Sequence, residues 1–419
     1  MDSLAIAPPR RMNENGSSHE NPHPRLNRNG ADRLKITMQT HPCWVEVSLT
    51  ALRHNFRTVQ SFVKPEALVC SVIKSDAYGH GAQACALALQ EEGATWFAVN
   101  TAQEGVSLRE GGIRGRVLLL AGLWPGDEED IIRYDLTPTI WDWHHIELLE
   151  NGAERLKAQR PVPVHLKVNT GMNRLGVDLK DLAGICETIR SAPHIKLEGV
   201  FSHFSASEVV DLPHGDQQLR CFQEALTRIR GSGLSPAVMH MANSAAIASR
   251  PKSWFNMVRP GLALYGYFLP FSSIVSGRPD SSLDLPVKPV LSWKSRVLQV
   301  REVEPGQPIG YSSGCVTEFP MKVAVIPVGY GDGLSRQLSL RGRVIVRDDY
   351  AAIVGNISMN LTAVDVTGIP GVAVGDEVTI IGETASRKIT AWEHAQHAST
   401  IPYEILCNVS GRLPRKYLE

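Results

Sequence analysis

A lysine stands where an apolar strand is predicted to end. Residues 67–81 read ALVCSVIKSDAYGHG. The β-branched run Val69, Val72, Ile73 carries no polar residue to mark a wet face, so it reads as a buried strand. It stops at Lys74, and a glycine-containing turn, Tyr78-Gly79-His80-Gly81, leads into the helix-like ACALALQEE. An ammonium in that position is partly desolvated, which lowers its pKa and leaves a nucleophilic amine. Such an amine forms a Schiff base with a carbonyl cofactor such as pyridoxal phosphate. The plainer alternative is a lysine that snorkels to the surface from a barrel rim.

Other reactive side chains fall in similar places. Lys167, in VHLKVNTGMNRLG, lies near a predicted strand end, and Arg174 follows in the next loop. His203 ends the strand of GVFSHFS, Asn243 and Ser244 follow the next, and Arg259 ends the last, in VRPGLALYG. The elements that must position them alternate in type. Strands are predicted at 67–73, 96–99, 117–120, 136–140, 164–168, 197–202, 237–241 and 256–258. Between them lie amphipathic segments such as DEEDIIRY, HHIELLENGAERLKAQR and DLAGICETIR, with apolar residues at helical spacing. A doubly wound sheet gives a similar alternation. Eight strands over roughly 250 residues point instead to a (β/α)8 barrel, which carries its chemistry at the C-terminal strand ends. The reactive residues then converge on one rim.

The rest of the chain differs. After a Pro/Ser/Gly-rich stretch at 272–289 come short strands separated by Gly, Pro and Asp turns. Only 390–398 reads there as a helix, capped by Thr390 with Glu393 three residues on. The first forty residues are rich in Asn, Pro, Arg, Ser and Gly, and lack the apolar core of a secretory signal. They are predicted to be disordered. The expected organisation is a tail over 1–42, a TIM barrel over 43–280 and a mainly β domain over 281–419. A length of 419 residues is too great for one ordinary core. Lys+Arg and Asp+Glu each number 43, so no charge excess points to nucleic acid or an anionic membrane. No apolar run reaches the roughly 18 residues of a membrane helix. Seven scattered cysteines without CxxC spacing read as reduced thiols of a cytoplasmic protein.

These motifs together resemble the alanine racemases, a family of pyridoxal-phosphate enzymes with a barrel and a β domain. KSDAYGHG, LKVNTGMNRLG, SHFS, MANSAA, VRPGLALYG, IGYSSG, VGYGDG, GNISMN and IPYEILCNVSGRLPR follow in the family's order across about residues 44–417. The resemblance implies Lys74 as the Schiff-base lysine and Tyr311 as its partner base. It implies Arg259 at the pyridine nitrogen and His203 against the ring. Tyr78, Asn243, Ser244, Gly261, Leu262 and Tyr403 would surround the phosphate. Arg174 and Met359 would hold the substrate carboxylate, and Lys167 would be carbamylated and paired with Arg174, or else form an ordinary strand-end ion pair. It further implies a homodimer with shared sites, interconversion of L- and D-alanine, and in bacteria a supply of D-alanine for peptidoglycan.

The chemistry suits the residue types. Racemisation removes a Cα proton from one face and returns one to the other, which needs two bases on opposite faces. Tyrosine hydroxyls titrate near about 10, so such a base needs cationic neighbours; His203 and Arg259 are the expected suppliers. Arginine at the pyridine nitrogen disfavours its protonation and so restrains side reactions. Amino-acid decarboxylases of similar architecture generally place an acid there, and pyridoxal-phosphate homeostasis proteins look like a bare barrel without the β domain. Three departures from the family's pattern stand out: Asn169 where LKVDTGM is common, Asn356 where Arg often lies, and Asn360 where Asp is usual. They remove charge near the substrate region, so serine or another amino acid competes with alanine as the preferred substrate. Tyr330, in VGYGDG, is either a core aromatic or a lining of the substrate channel. The pairs His144/His145 and His394/His397 lack a set of further ligands at metal spacing and read as surface histidines, with no metal expected.

Overall fold

Strands that are apolar on both faces have no wet side to offer, and here they close on one another. The computed structural model describes residues 42–276 and 285–419 of the chain. The first strand, β1 (Trp44–Ser48), lies outside the ring. The ring runs through β2 (Leu68–Val72), β3 (Trp96–Val99), β4 (Arg116–Leu119), β5 (Thr137–Ile140), β6 (Val162–Lys167), β7 (Ile195–Phe201), β8 (Val238–Asn243) and β9 (Met257–Arg259). Each strand pairs parallel with the next, and β2 pairs with β9 to complete a closed barrel. All the predicted barrel strands are present. Helices cover the outside with one apolar stripe each; Leu49–Phe62 buries Leu49, Leu52, Phe56 and Val59. Local signals set the helix starts. The helix Ala102–Glu110 begins with a capping box of Thr101 and Glu104.

The C-terminal region is a mainly antiparallel sheet built on β10 (Leu291–Arg296) and the hairpin-rich segment that follows. From one edge the strands run 299–303, 321–326, 362–365, 349–354, 343–346, 377–383, β10, β1 and 415–418. The expected segmentation put residues 44–48 with the barrel. Their hydrogen bonds are instead antiparallel to β10 and parallel to Arg415–Leu418. The cause is tertiary: Trp44, Val45 and Val47 are apolar enough for either core, and the sheet leaves a gap between β10 and the C-terminal strand.

Two further expectations are corrected. A second helix, Pro402–Asn408, follows Ala391–His397, with Pro402 in its first turn where the missing N–H costs nothing. One histidine of each pair is buried. His145 packs edge-on against Trp141 with centroids 4.6 Å apart, and His394 lies on the inner face of its helix. No group of three or more metal-ligating side chains occurs among the described residues, and no helix there is long and apolar enough to cross a membrane. The expectation of a disordered tail falls on residues 1–41, outside the described residues.

Burial holds His80 and His394 down to about 4, against an ordinary value of 6.5. Above pH 6.5 both are neutral whether the chain is folded or not. Below it the unfolded imidazole takes a proton that the folded one refuses, so stability falls between pH 6.5 and about 4 and then levels. Each full shift corresponds to about 3 kcal/mol. The urea midpoint should therefore drop steeply over this window, and His394→Phe should make the drop shallower. An unchanged acid limb in that variant would refute the assignment.

Candidate active site

Immediately after β2 the backbone does something rare. Ser75, Asp76, Ala77 and Tyr78 all adopt positive φ, between 52° and 55°, forming a left-handed turn that starts at Lys74. For residues with a Cβ this costs of order 4–8 kcal/mol in total. Several bonds over-determine the conformation. The Glu104 carboxylate accepts from the Ser75 N–H at 2.6 Å and from Asn100 N–H at 2.6 Å. Asp76 Oδ1 accepts from the Ala82 N–H at 2.7 Å, and His80 Nδ1–H is shared by the carbonyls of Ala77 and Tyr78. The Tyr78 ring packs on Tyr265, 4.8 Å away, and on Tyr403, 5.8 Å away.

Lys74 points into a cavity of about 620 Å³ at the C-terminal mouth of the barrel. Its wall also includes Tyr78, Lys167, Arg174, His203, Asn243, Ser244, Arg259, Gly261, Leu262 and Tyr403, all singled out from the sequence. Tyr311 and Met359 do not line it. Both are on the β domain and open to solvent, 70% and 57% exposed. Tyr311 sits in a strained loop, with Gly310, Ser312 and Ser313 at positive φ, and its carbonyl accepts from Asn356 Nδ2 at 2.9 Å. Tyr330 is 45% exposed and so is no core aromatic. Asn100, Leu120 and Ala121 also line the cavity and were missed. They follow β3 and β4, so the strand-end rule that selected the others would have found them.

The cavity is short of negative charge. Four cationic side chains, Lys74, Lys167, Arg174 and Arg259, line it without a carboxylate among the described residues. Burial, and then Arg259, Arg174 and Lys74, push the Lys167 amine down to about 7. Lys74 is lowered by burial and by Arg174. Burial alone brings Arg259 down to about 10, and burial with Arg259 nearby keeps His203 neutral. Such a wall favours a ligand bearing phosphate and carboxylate groups. The far side is shaped for close approach. Ser244 Oγ accepts from the N–H groups of Gly261 at 2.9 Å and Ala263 at 3.2 Å. A Cβ at Gly261 would meet the Tyr78 hydroxyl at 2.6 Å, so only glycine leaves this corner open.

Arg259 is gripped from below. Its guanidinium donates to His240 Nδ1 at 2.6 Å, to the Ser202 carbonyl at 2.8 Å and to His203 Nδ1 at 3.1 Å. An arginine only donates, so His240 carries its proton on Nε2 and passes it towards His165 Nδ1, 2.8 Å away. That leaves the His165 proton on Nε2, facing Glu198 at 3.7 Å. Burial would raise the Glu198 carboxyl, but His165 and Arg116 hold it down to about 2. A polar chain thus threads the barrel interior from Arg259 to Arg116.

Residues 47–268 match the alanine racemase N-terminal domain and residues 290–417 the alanine racemase C-terminal domain. This chain belongs to the alanine racemase family. An alanine racemase of Syntrophobacter fumaroxidans is 40% identical over 368 residues, 87% of this chain and 95% of that protein. One of Halothermothrix orenii is 38% identical over 90% of this chain and 97% of its own length. The crystal structure of alanine racemase from Streptomyces lavendulae superposes with a TM-score of 0.83 at 32% identity, covering 90% of this chain and 97% of that one. Against the family's pattern, each of the three asparagines has a local partner. Asn169 donates to Asp178 at 2.8 Å while its carbonyl oxygen accepts from the N–H groups of Gly171 and Asn173. Asn360 donates to Asp332 at 3.3 Å. An aspartate at either position would set two carboxylates against each other.

A lowered amine pKa means more free amine at moderate pH. At pH 8, acetic anhydride should modify Lys167 and Lys74 of the apoprotein at least several-fold faster than exposed lysines such as Lys64, read by peptide mass spectrometry. Equal rates would contradict the lowered basicity of the two amines.

Proposed function

We propose that the chain interconverts L- and D-alanine with pyridoxal phosphate as cofactor, through two bases on opposite faces of the substrate. The observation that carries this reading is the cavity itself, where a desolvated lysine amine meets a wall of unneutralised cations. The residues present fit the cofactor. Lys74 would hold its carbonyl carbon, Arg259 its pyridine nitrogen and His203 one face of its ring. Tyr78, Asn243, Ser244, Gly261, Leu262 and Tyr403 would enclose its phosphate, in the corner that Gly261 keeps open. When bound, pyridoxal phosphate supplies an electron sink that acidifies the substrate Cα–H.

The protein's own groups do the rest. Arg259 only donates, and its hydrogen bond to His240, at the head of the His240–His165–Glu198 run, orients it; it therefore disfavours a proton on the pyridine nitrogen and limits side reactions. Arg174 would bind the substrate carboxylate together with Met359. Lys167, with its amine pushed down to about 7, is set up to react with carbon dioxide, and the resulting carbamate would neutralise Arg174. Lys74 Nζ would exchange the Cα proton on one face and Tyr311 Oη on the other. Alanine is the substrate favoured by the relatives; Asn169, Asn356 and Asn360 bear on selectivity against serine. Cys70, Cys85 and Cys186 are buried free thiols, which supports a reducing, cytoplasmic setting.

Tyr311 and Met359 lie outside the cavity in one copy, which supports a two-fold dimer in which the β domain of each copy completes the other's site. Borohydride reduction of the holoenzyme should fix the cofactor on the peptide containing Lys74; fixation at Lys167 would overturn the assignment. Tyr311→Phe should abolish racemisation while leaving the cofactor's absorbance intact, and should suppress Cα proton exchange from L-alanine far more than from D-alanine. Equal suppression from both would argue against two bases.

Co-expression tests the shared site. In a Lys74→Ala/Tyr311→Phe heterodimer one site carries both lesions and the other neither. Random pairing of equal amounts makes about half the molecules heterodimers, so about a quarter of all sites should be active. Failure to recover activity in isolated heterodimers would exclude the shared arrangement.

A further inference from the structure

The left-handed turn after β2 has one anchor that comes from the far end of the chain. Arg415 begins the C-terminal strand Arg415–Leu418, which pairs with β1 at the edge of the β domain. Its Nε and Nη2 both donate to the Gly79 carbonyl, at 3.0 and 2.8 Å. The remaining donors reach the carbonyls of Val409, Ser410 and Leu413, at 3.2, 3.2 and 3.0 Å. Every partner of the guanidinium among the described residues is a main-chain carbonyl, so its geometry is spent on joining backbone to backbone. Two further contacts converge there. A Cβ at Gly79 would lie 2.4 Å from the Leu406 carbonyl oxygen, so the turn and the helix Pro402–Asn408 touch main chain to main chain. A Cβ at Gly81 would meet the Tyr417 hydroxyl.

We infer that Arg415 is a positioning residue for Lys74, locking the last carbonyl of the left-handed turn and so holding the amine in its cavity. The argument is mechanical. Lys74 and Gly79 are the two ends of one short turn whose inner residues are all at positive φ. A turn held against its own preference relaxes when one end is released, and ordinary right-handed or extended backbone would carry the Lys74 side chain elsewhere. Glu104 fixes the end near Lys74 through the Ser75 N–H, and Arg415 fixes the other. Arginine suits the task because its planar fork serves several carbonyls at once, where a lysine would serve fewer. The link also makes the β domain of the same copy a support for the barrel's reactive amine, separate from any contribution it makes to a partner's site.

The inference rests on the reading of Lys74 given above, and the experiment separates the two. Arg415→Met is compared with the wild type and with Lys416→Met, which removes a cation one residue along the same strand, where it lies over Trp44. Two quantities are read: the dissociation constant of pyridoxal phosphate from reconstitution, and the pH midpoint for acetylation of Lys74 in the apoprotein. In Arg415→Met the cofactor should bind at least tenfold more weakly and the Lys74 midpoint should rise by about a unit, as the amine meets more water. Arg415→Lys should recover part of both, and Lys416→Met should change neither. A folded Arg415→Met with both quantities unaltered, even if it melts earlier, makes Arg415 purely structural and overturns the inference. So does an equal change in Lys416→Met. If Arg415→Met does not fold, Arg415→Gln takes its place under the same criteria, and failure of both to fold counts against the inference. A borohydride label on another peptide of the wild type would instead refute the reading of Lys74 itself.

Discussion

Mutual repulsion among cations is the constraint around which this site is built. Lys74, Lys167, Arg174 and Arg259 share one partly dry cavity, where each unit charge disfavours the others more than it would in water. The chain relieves the repulsion by making the lysines easier to deprotonate, Lys74 through burial and the nearby Arg174, and Lys167 down to about 7, while the arginines keep the charge. That division follows from intrinsic basicity: an amine gives up its proton under modest desolvation, whereas a guanidinium does not. The result is a nucleophilic amine beside fixed positive charge, the combination that binding an anionic carbonyl compound requires.

Fixed charge is useful only if it stays in place. Arg259 is seated on a run of buried imidazoles that ends in a carboxylate, and its donor-only character dictates the tautomer of each ring in turn. The barrel interior is therefore not simply an apolar filling. A parallel barrel packs side chains in layers, and here one polar file replaces apolar residues, hydrogen-bonded from Arg259 through His240 to His165 and closed by the Glu198 carboxylate 3.7 Å from His165 Nε2. Phe201 lies flat against His240, 4.7 Å away at an interplanar angle of 4°, and supplies the rigid wall that the file needs.

The β domain contributes through two opposite surfaces. Its C-terminal strand and the helix Pro402–Asn408 reach the lysine turn of the same copy, while the loop carrying Tyr311 projects into solvent. That loop holds Gly310, Ser312 and Ser313 at positive φ, a backbone strain that the surrounding β domain bears.

The sequence by itself determined the barrel, because eight short apolar runs separated by amphipathic segments leave few other ways to bury both faces of each strand. It also determined most of the cavity wall, since residues at the C-terminal ends of parallel strands must share a rim. The left-handed turn was not legible: Ser75, Asp76, Ala77 and Tyr78 carry no strong signal for positive φ, and beside the local bonds of His80 and Asp76 the turn is held by Glu104 and Arg415 from distant parts of the chain. Nor was the placement of residues 44–48, whose alternating pattern fits any half-buried strand until the gap beside β10 exists. The buried state of His394 and the lowered basicity of Lys167 likewise depend on which groups surround them. Periodicity is a local property that a sequence carries openly. Pairing, strain and desolvation are relations between distant residues, and only the folded chain brings those residues together.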